Sequence, residues 1–239
     1  MVPFLDLLNH VHGETVMWEL ASDEKKHVLF SNKDKEHKEG DEVFNNYGYK
    51  TVEELFLSHG FCGTGTGHKD VVALRVGSPA VSKEVDEAKV AILRDMEVPV
   101  AVRPNGNLSV GPLYLVTGSA EEPILNQELL LSMAVCGMAH IPTDEEPIEI
   151  GIDELDVLKA QLGHKLEILG DLSWILETLN SNVKGESTPH THHTRKVQAA
   201  LYVKGQVDLL NEALGEIVKF LPVPDGEESE EEEEHEEGV

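Results

Sequence analysis

Two short segments of the chain carry side chains whose types and spacing suit chemistry. Asn9-His10 follows the apolar run Phe4-Leu5-Asp6-Leu7-Leu8, so a main chain buried on one side can present an amide and an imidazole to a small molecule. In Asn45-Asn46-Tyr47-Gly48-Tyr49-Lys50-Thr51, a tyrosine stands directly before a glycine and a helix signal, and the stretch closes at Ser58-His59-Gly60-Phe61. Taken alone, Asn9-His10 reads more simply as a helix-terminal Asn beside a satisfied imidazole. A third cluster, Pro189-His190-Thr191-His192-His193, gathers three imidazoles in one polar loop. It offers neither cysteine nor a distant fourth ligand, so surface histidines account for it better than a metal site. Gly-x-Ser-x-Gly, His-Glu-x-x-His and Cys-x-x-Cys are all absent, which disfavours the common hydrolase, zinc protease and redox chemistries. The carboxylate pairs Glu53-Glu54 and Glu121-Glu122 stand at helix starts, where acids complement the helix dipole.

The elements that must position these residues follow from periodicity. Residues 14–20 and 26–30 alternate or cluster as β-strands around the turn chemistry of Ser22-Asp23-Glu24, and Gly40-Asp41-Glu42-Val43-Phe44 opens a third strand that delivers the chain to Tyr47. Thr51 as N-cap with Glu54 three residues on predicts a capping box, and Gly60 stops the helix. Gly63-Thr64-Gly65-Thr66-Gly67 is a loop; it precedes a strand at 70–76 and lacks a Lys-Ser/Thr ending, so it is no phosphate cradle. From Ser82 the period becomes helical, with Val85, Ala88, Ile92 and Leu93 on one face. After an extended stretch at 98–116, helices are expected over 123–138, 152–179 and 193–220. The domain boundary is expected near Gly77-Ser78-Pro79.

The ordered set Pro3, Asp6, Asn9-His10, Gly40-Asp41-Glu42, Tyr47-Gly48, Glu54-Leu55 and Gly60-Phe61 resembles the C-terminal part of a SET-domain protein-lysine methyltransferase of the Rubisco large-subunit methyltransferase/SETD-like family. The motifs cover the first third; the later helices match the family's substrate-binding domain in pattern only. The resemblance implies an α+β chain: a partial β-rich SET domain over 1–78, an all-α substrate-binding domain over 79–224, and a disordered acidic tail over 225–239. It implies Tyr47 as the catalytic tyrosine, Asn9 and His10 as contacts to S-adenosyl-L-methionine, and His59 and Phe61 as walls of the lysine channel. Two departures accompany it. Many relatives carry a tyrosine just before Gly-Phe, where this chain has Ser58-His59, which can alter the product or target residue. The family's N-terminal SET half with its Gly-x-Gly cofactor loop has no counterpart, so a truncated or degenerate copy is expected, one that binds the cofactor weakly or not at all by itself.

The chemistry of such a site is in-line displacement at a sulfonium methyl by a neutral lysine amine. Free lysine has a pKa near ~10.4, so desolvation beside a sulfonium favours its deprotonation. A tyrosine hydroxyl together with main-chain carbonyls can position methyl and amine through directional contacts.

Composition bounds the partners. The 239 residues carry a formal net charge of −26 with 40% hydrophobic content, enough for one large or two small cores. That charge disfavours nucleic acid and anionic membrane surfaces and favours a basic protein substrate, such as a histone or ribosomal protein. Residues 225–237 are almost wholly Asp and Glu, which reads as a solvating tail or as an electrostatic lure for basic substrates. Only Cys62 and Cys136 are present, with no apolar run of membrane-spanning length and no basic leader, so a cytoplasmic or nuclear location is expected. The alternative to an enzyme is a non-catalytic module that binds basic partners through its helical part and acidic tail.

Overall fold

A computed structural model describes residues 7–13, 16–20, 28–32, 36–62, 69–117, 123–143, 147–183 and 192–222. Pro3, Asp6, the turn at 22–24, the glycine loop at 63–67, Glu121-Glu122, His190 and the acidic tail lie outside the described residues.

The first strands are β1 (Val16–Leu20) and β2 (Val28–Asn32), an antiparallel pair in which Trp18 stands opposite Phe30. The third strand expected over 40–44 does not form. Its place is taken by extended chain ending in a single parallel bridge between Asn45 and His10. Helix α1 (Val52–His59) begins with the expected capping box: the Glu54 amide donates to Thr51 Oγ1 at 3.1 Å and the Thr51 amide donates to Glu54 Oε2 at 2.9 Å. Two of the orphan donors of the first turn are thereby satisfied. Gly60 ends the helix at φ 78°, the left-handed region that favours glycine.

A three-stranded antiparallel sheet of order β3-β5-β4 follows, formed by β3 (Val71–Ser78), β4 (Val100–Val102) and β5 (Leu108–Val116). Along β3 exposed and buried residues alternate, putting Val72, Leu74, Val76 and Ser78 on the inner face. This corrects the all-α expectation for 79–224, because β4 and β5 lie within it. The sheet also crosses the boundary expected near position 78, since β3 pairs with β5 over most of its length. Two strands separated by helix α2 (Lys83–Asp95) can satisfy their main-chain groups only by pairing, and that long-range choice leaves little local signature.

Helices α3 (Gln127–Gly137), α4 (Ile152–Leu169), α5 (Ser173–Val183) and α6 (His192–Phe220) complete the chain. The single helix expected over 152–179 is two. Gly170 takes φ 69° after α4, and Asp171 then restarts the helix by accepting the Ser173 amide at 2.9 Å. That hydrogen bond holds the Asp171 carboxyl below its ordinary range. The core lies between the inner face of the sheet and α3, α4 and α6, with Leu74, Leu113, Leu115, Met133, Leu158, Leu162, Leu210 and Ile217 in one continuous cluster. Each such side chain contributes about 2 kcal/mol through removal from water.

Lys89 breaks the expected pattern of α2. It is 0% exposed, and its Nζ donates to Ser78 Oγ and to the Cys136 carbonyl, both at 3.1 Å. Burial lowers its pKa from the ordinary lysine value. Its charge sits against the carbonyl end of α3, the partially negative pole of that helix.

Candidate functional site

All five residues singled out from the sequence meet at one place. Residues 7–13 run beside 43–47: the Asn45 amide donates to the Asn9 carbonyl at 2.8 Å, and the Val11 amide donates to the Asn45 carbonyl at 3.0 Å. This pairing carries His10 under Tyr47. The Tyr47 amide donates to His10 Nδ1 at 3.1 Å, and the two rings stack with centroids 4.9 Å apart and planes 18° from parallel. With Nδ1 accepting, the imidazole proton of this tautomer sits on Nε2.

Helix α1 returns the chain to the same rings. His59, in its last turn, tilts against Tyr47 at 4.8 Å, and Phe61, one residue beyond the glycine stop, lies 6.1 Å from His59 and 6.4 Å from His10. Four rings from three segments therefore pack against one another. Tyr47 is half-buried and His59 is exposed, so the cluster faces solvent on one side. The turn that presents Tyr47 is built by Asn46, which accepts the Gly48 amide at 2.9 Å, while Gly48 takes φ 86°.

The Tyr47 hydroxyl donates to the Leu8 carbonyl at 2.7 Å. A phenolic oxygen and a main-chain carbonyl thus stand side by side against the rings. Asn9 is exposed, and its amide donates to Glu42 Oε1 at 2.6 Å, placing a carboxylate at the rim. This donor set fits a cationic, partly apolar ligand: ring faces and a carboxylate favour positive charge, and carbonyl and hydroxyl oxygens accept polarised C–H and N–H groups. S-adenosyl-L-methionine and a lysine side chain are both of that kind.

Residues that sequence reasoning missed lie on α6. Gln198 Oε1 accepts the Cys62 amide at 2.5 Å, and the Gln198 carbonyl accepts the Cys62 thiol at 3.1 Å. Tyr202 stacks on Phe56 with centroids 5.0 Å apart and planes 10° from parallel, and Gln206 Nε2 donates to the Val71 carbonyl at 3.0 Å. Burial, reinforced by the Asp70 carboxylate, pushes the Cys62 thiol up to about 11, so it is no nucleophile at neutral pH. The four-residue spacing of Gln198, Tyr202 and Gln206 was visible, but nothing local marks which partner such a stripe meets.

In sequence the chain bears a distant likeness to a lysine N-methyltransferase of the SET type. One such relative is the ribosomal lysine N-methyltransferase set10 of Schizosaccharomyces pombe, 23% identical over 92% of this chain, which spans 38% of the relative's length. No protein-family model matches the chain.

Proposed function

We propose that the chain carries the lysine-side half of an S-adenosyl-L-methionine-dependent protein-lysine N-methyltransferase site, centred on Tyr47 and of the Rubisco-methyltransferase-like kind. The observation that carries this reading is the 2.7 Å contact between the Tyr47 hydroxyl and the Leu8 carbonyl inside a cluster of four rings. The distant likeness to a lysine N-methyltransferase supports it.

In this reading Asn9 and His10 hold the cofactor, which supplies the methyl group when bound. His10 fixes the Tyr47 main chain through Nδ1, so the hydroxyl keeps its aim. Tyr47 and the Leu8 carbonyl orient the amine and the methyl hydrogens through directional contacts. His59 and Phe61 line the channel for the lysine's methylenes, and the neighbouring sulfonium charge favours the neutral amine that attacks. The substrate is a basic protein, to which a chain of net charge −26 is complementary. The SET-like portion over 1–78 carries the site, and the portion over 79–224 receives the substrate. A cytoplasmic or nuclear setting goes with such a substrate.

The test is calorimetric titration with S-adenosyl-L-methionine, followed by methyl transfer to a basic lysine-containing peptide. Weak cofactor binding, with a loss of about 100-fold in kcat for Tyr47→Phe, is the expected result, the scale on which one positioned donor acts. Undiminished transfer by Tyr47→Phe would overturn the role given to its hydroxyl. Binding of basic peptides without any binding of the cofactor would favour the non-catalytic interaction module instead.

A further inference from the structure

We infer that Gln198 of α6 is a positioning residue that sets how closely the His59–Phe61 segment packs against Tyr47. The inference rests on the proposed site for its catalytic meaning, but its geometry stands by itself.

The ring cluster has two halves with separate supports. His10 and Tyr47 are fixed to each other by the pairing of residues 7–13 with 43–47. His59 and Phe61 belong to the end of α1 and the residues after it, and beside their ring contacts with Tyr47 and His10 that segment is held by α6. The Cys62 amide, next in the chain to Phe61, ends in the Gln198 side-chain carbonyl; Phe56, three residues before His59, lies flat on Tyr202; and the start of β3 is held by Gln206. Residues four apart in a helix lie on one face, so α6 grips α1, the residues just after it and β3 with a single stripe.

Of these contacts, the one at Gln198 is nearest the rings. Cys62 is buried, so its amide must find a protein acceptor, and Gln198 Oε1 supplies one. The Cys62 thiol donates to the carbonyl of the same residue, so the amide and the thiol of Cys62 both donate to Gln198. Removing the side-chain acceptor leaves a buried N–H that can be satisfied only by moving, and Phe61 moves with it. The Tyr47–His59 separation of 4.8 Å and the His59–Phe61 separation of 6.1 Å are the distances that change.

The experiment compares Gln198→Leu, which keeps the shape and removes the acceptor, with Gln198→Glu, which keeps an Oε in place. The readouts are the ring-to-ring nuclear Overhauser contact between Tyr47 and His59, and kcat and KM for methyl transfer to a basic lysine-containing peptide. Gln198→Leu is expected to weaken the contact at least about two-fold and to lower kcat about ten-fold with KM within about two-fold, a loss of alignment and not of binding. Gln198→Glu is expected to restore both. Ile217→Val, in the buried face of the same helix, serves as the control for stability and is expected to leave the contact in place. An unchanged contact in Gln198→Leu, a Gln198→Glu no better than Gln198→Leu, or an equal loss in Ile217→Val would each overturn the inference. Should Gln198→Leu fail to fold, Gln198→Asn, too short to reach the amide, takes its place. If the native chain transfers no methyl group, the proposed function falls, while the Tyr47–His59 contact still decides the role of Gln198.

Discussion

The main-chain amide of Tyr47 donates to His10 Nδ1 at 3.1 Å while the rings of the same two residues stack 4.9 Å apart. A side chain from one end of the described chain thus serves as both acceptor and floor for a turn 37 residues later. The hydrogen bond orients the turn, and the stack excludes water from one side of the hydroxyl. Neither residue could hold the Tyr47–Leu8 contact without the other.

A double-mutant cycle measures that mutual support. Tyr47→Ala removes the stack but keeps the main-chain amide, so a cycle with His10→Ala isolates the ring contact. Urea unfolding is expected to give a favourable coupling of about 1 kcal/mol, in the range for paired aromatic rings. Additive losses would show that the rings are neighbours without energetic contact.

Three glycines within helices should respond differently to alanine. A Cβ on Gly163 of α4 or Gly215 of α6 meets no atom within 4 Å, so each substitution is expected to stabilise by about 1 kcal/mol through helix propensity. A Cβ on Gly205 would lie 2.3 Å from Asp70 Oδ1 and 2.5 Å from its Cγ. Gly205→Ala should therefore lower Tm although it improves helix propensity, and thermal unfolding of the three variants at one pH decides the matter. A Gly205→Ala variant as stable as the other two would mean that α6 does not press against the start of β3.

Asp70 has a cost that pH should reveal. Its Oδ1 is buried without a hydrogen-bond partner, and burial, then the Asp208 carboxylate, raises its pKa above the ordinary value, opposed by Lys204, which is itself paired with Asp208. The Cys62 thiol and the Tyr202 hydroxyl face it too, both raised chiefly by burial. Between the ordinary carboxylate value and the raised one, the folded chain binds more protons than the unfolded chain. This residue's contribution to stability is thus highest below the ordinary value and falls as pH rises through the raised one. Asp70→Asn should raise Tm near pH 7 and have almost no effect near about pH 3. A gain of equal size at both pH values would separate it from ionisation. The Asp70 main chain stays tied to Thr117 in either case, since the Asp70 amide donates to Thr117 Oγ1 and the Thr117 amide to the Asp70 carbonyl, both at 3.0 Å.

Local chemistry was legible wherever a decision involves residues a few positions apart. The Thr51–Glu54 capping box, the glycine stop at Gly60, the helical period from Ser82, the strand at 70–76 and the long apolar stripe of α6 all depend on neighbours within a turn or a pleat. The division of α4 from α5 turned on Gly170 and Asp171, whose signal was present but was outweighed by an unbroken leucine periodicity. The site residues Asn9, His10, Tyr47, His59 and Phe61 were named from their order along the chain, yet order alone does not bring them together.

The sequence by itself determined which segments are helical or extended, which faces are apolar, and which polar residues are available, because those properties follow from φ/ψ preference and periodicity. Only the tertiary structure decided the partners: His10 beneath Tyr47, β5 between β3 and β4, Lys89 against the end of α3, and Gln198 beneath Cys62. Polar groups such as these find partners across 37 to 136 residues of chain, and which ones meet is settled by how whole faces pack.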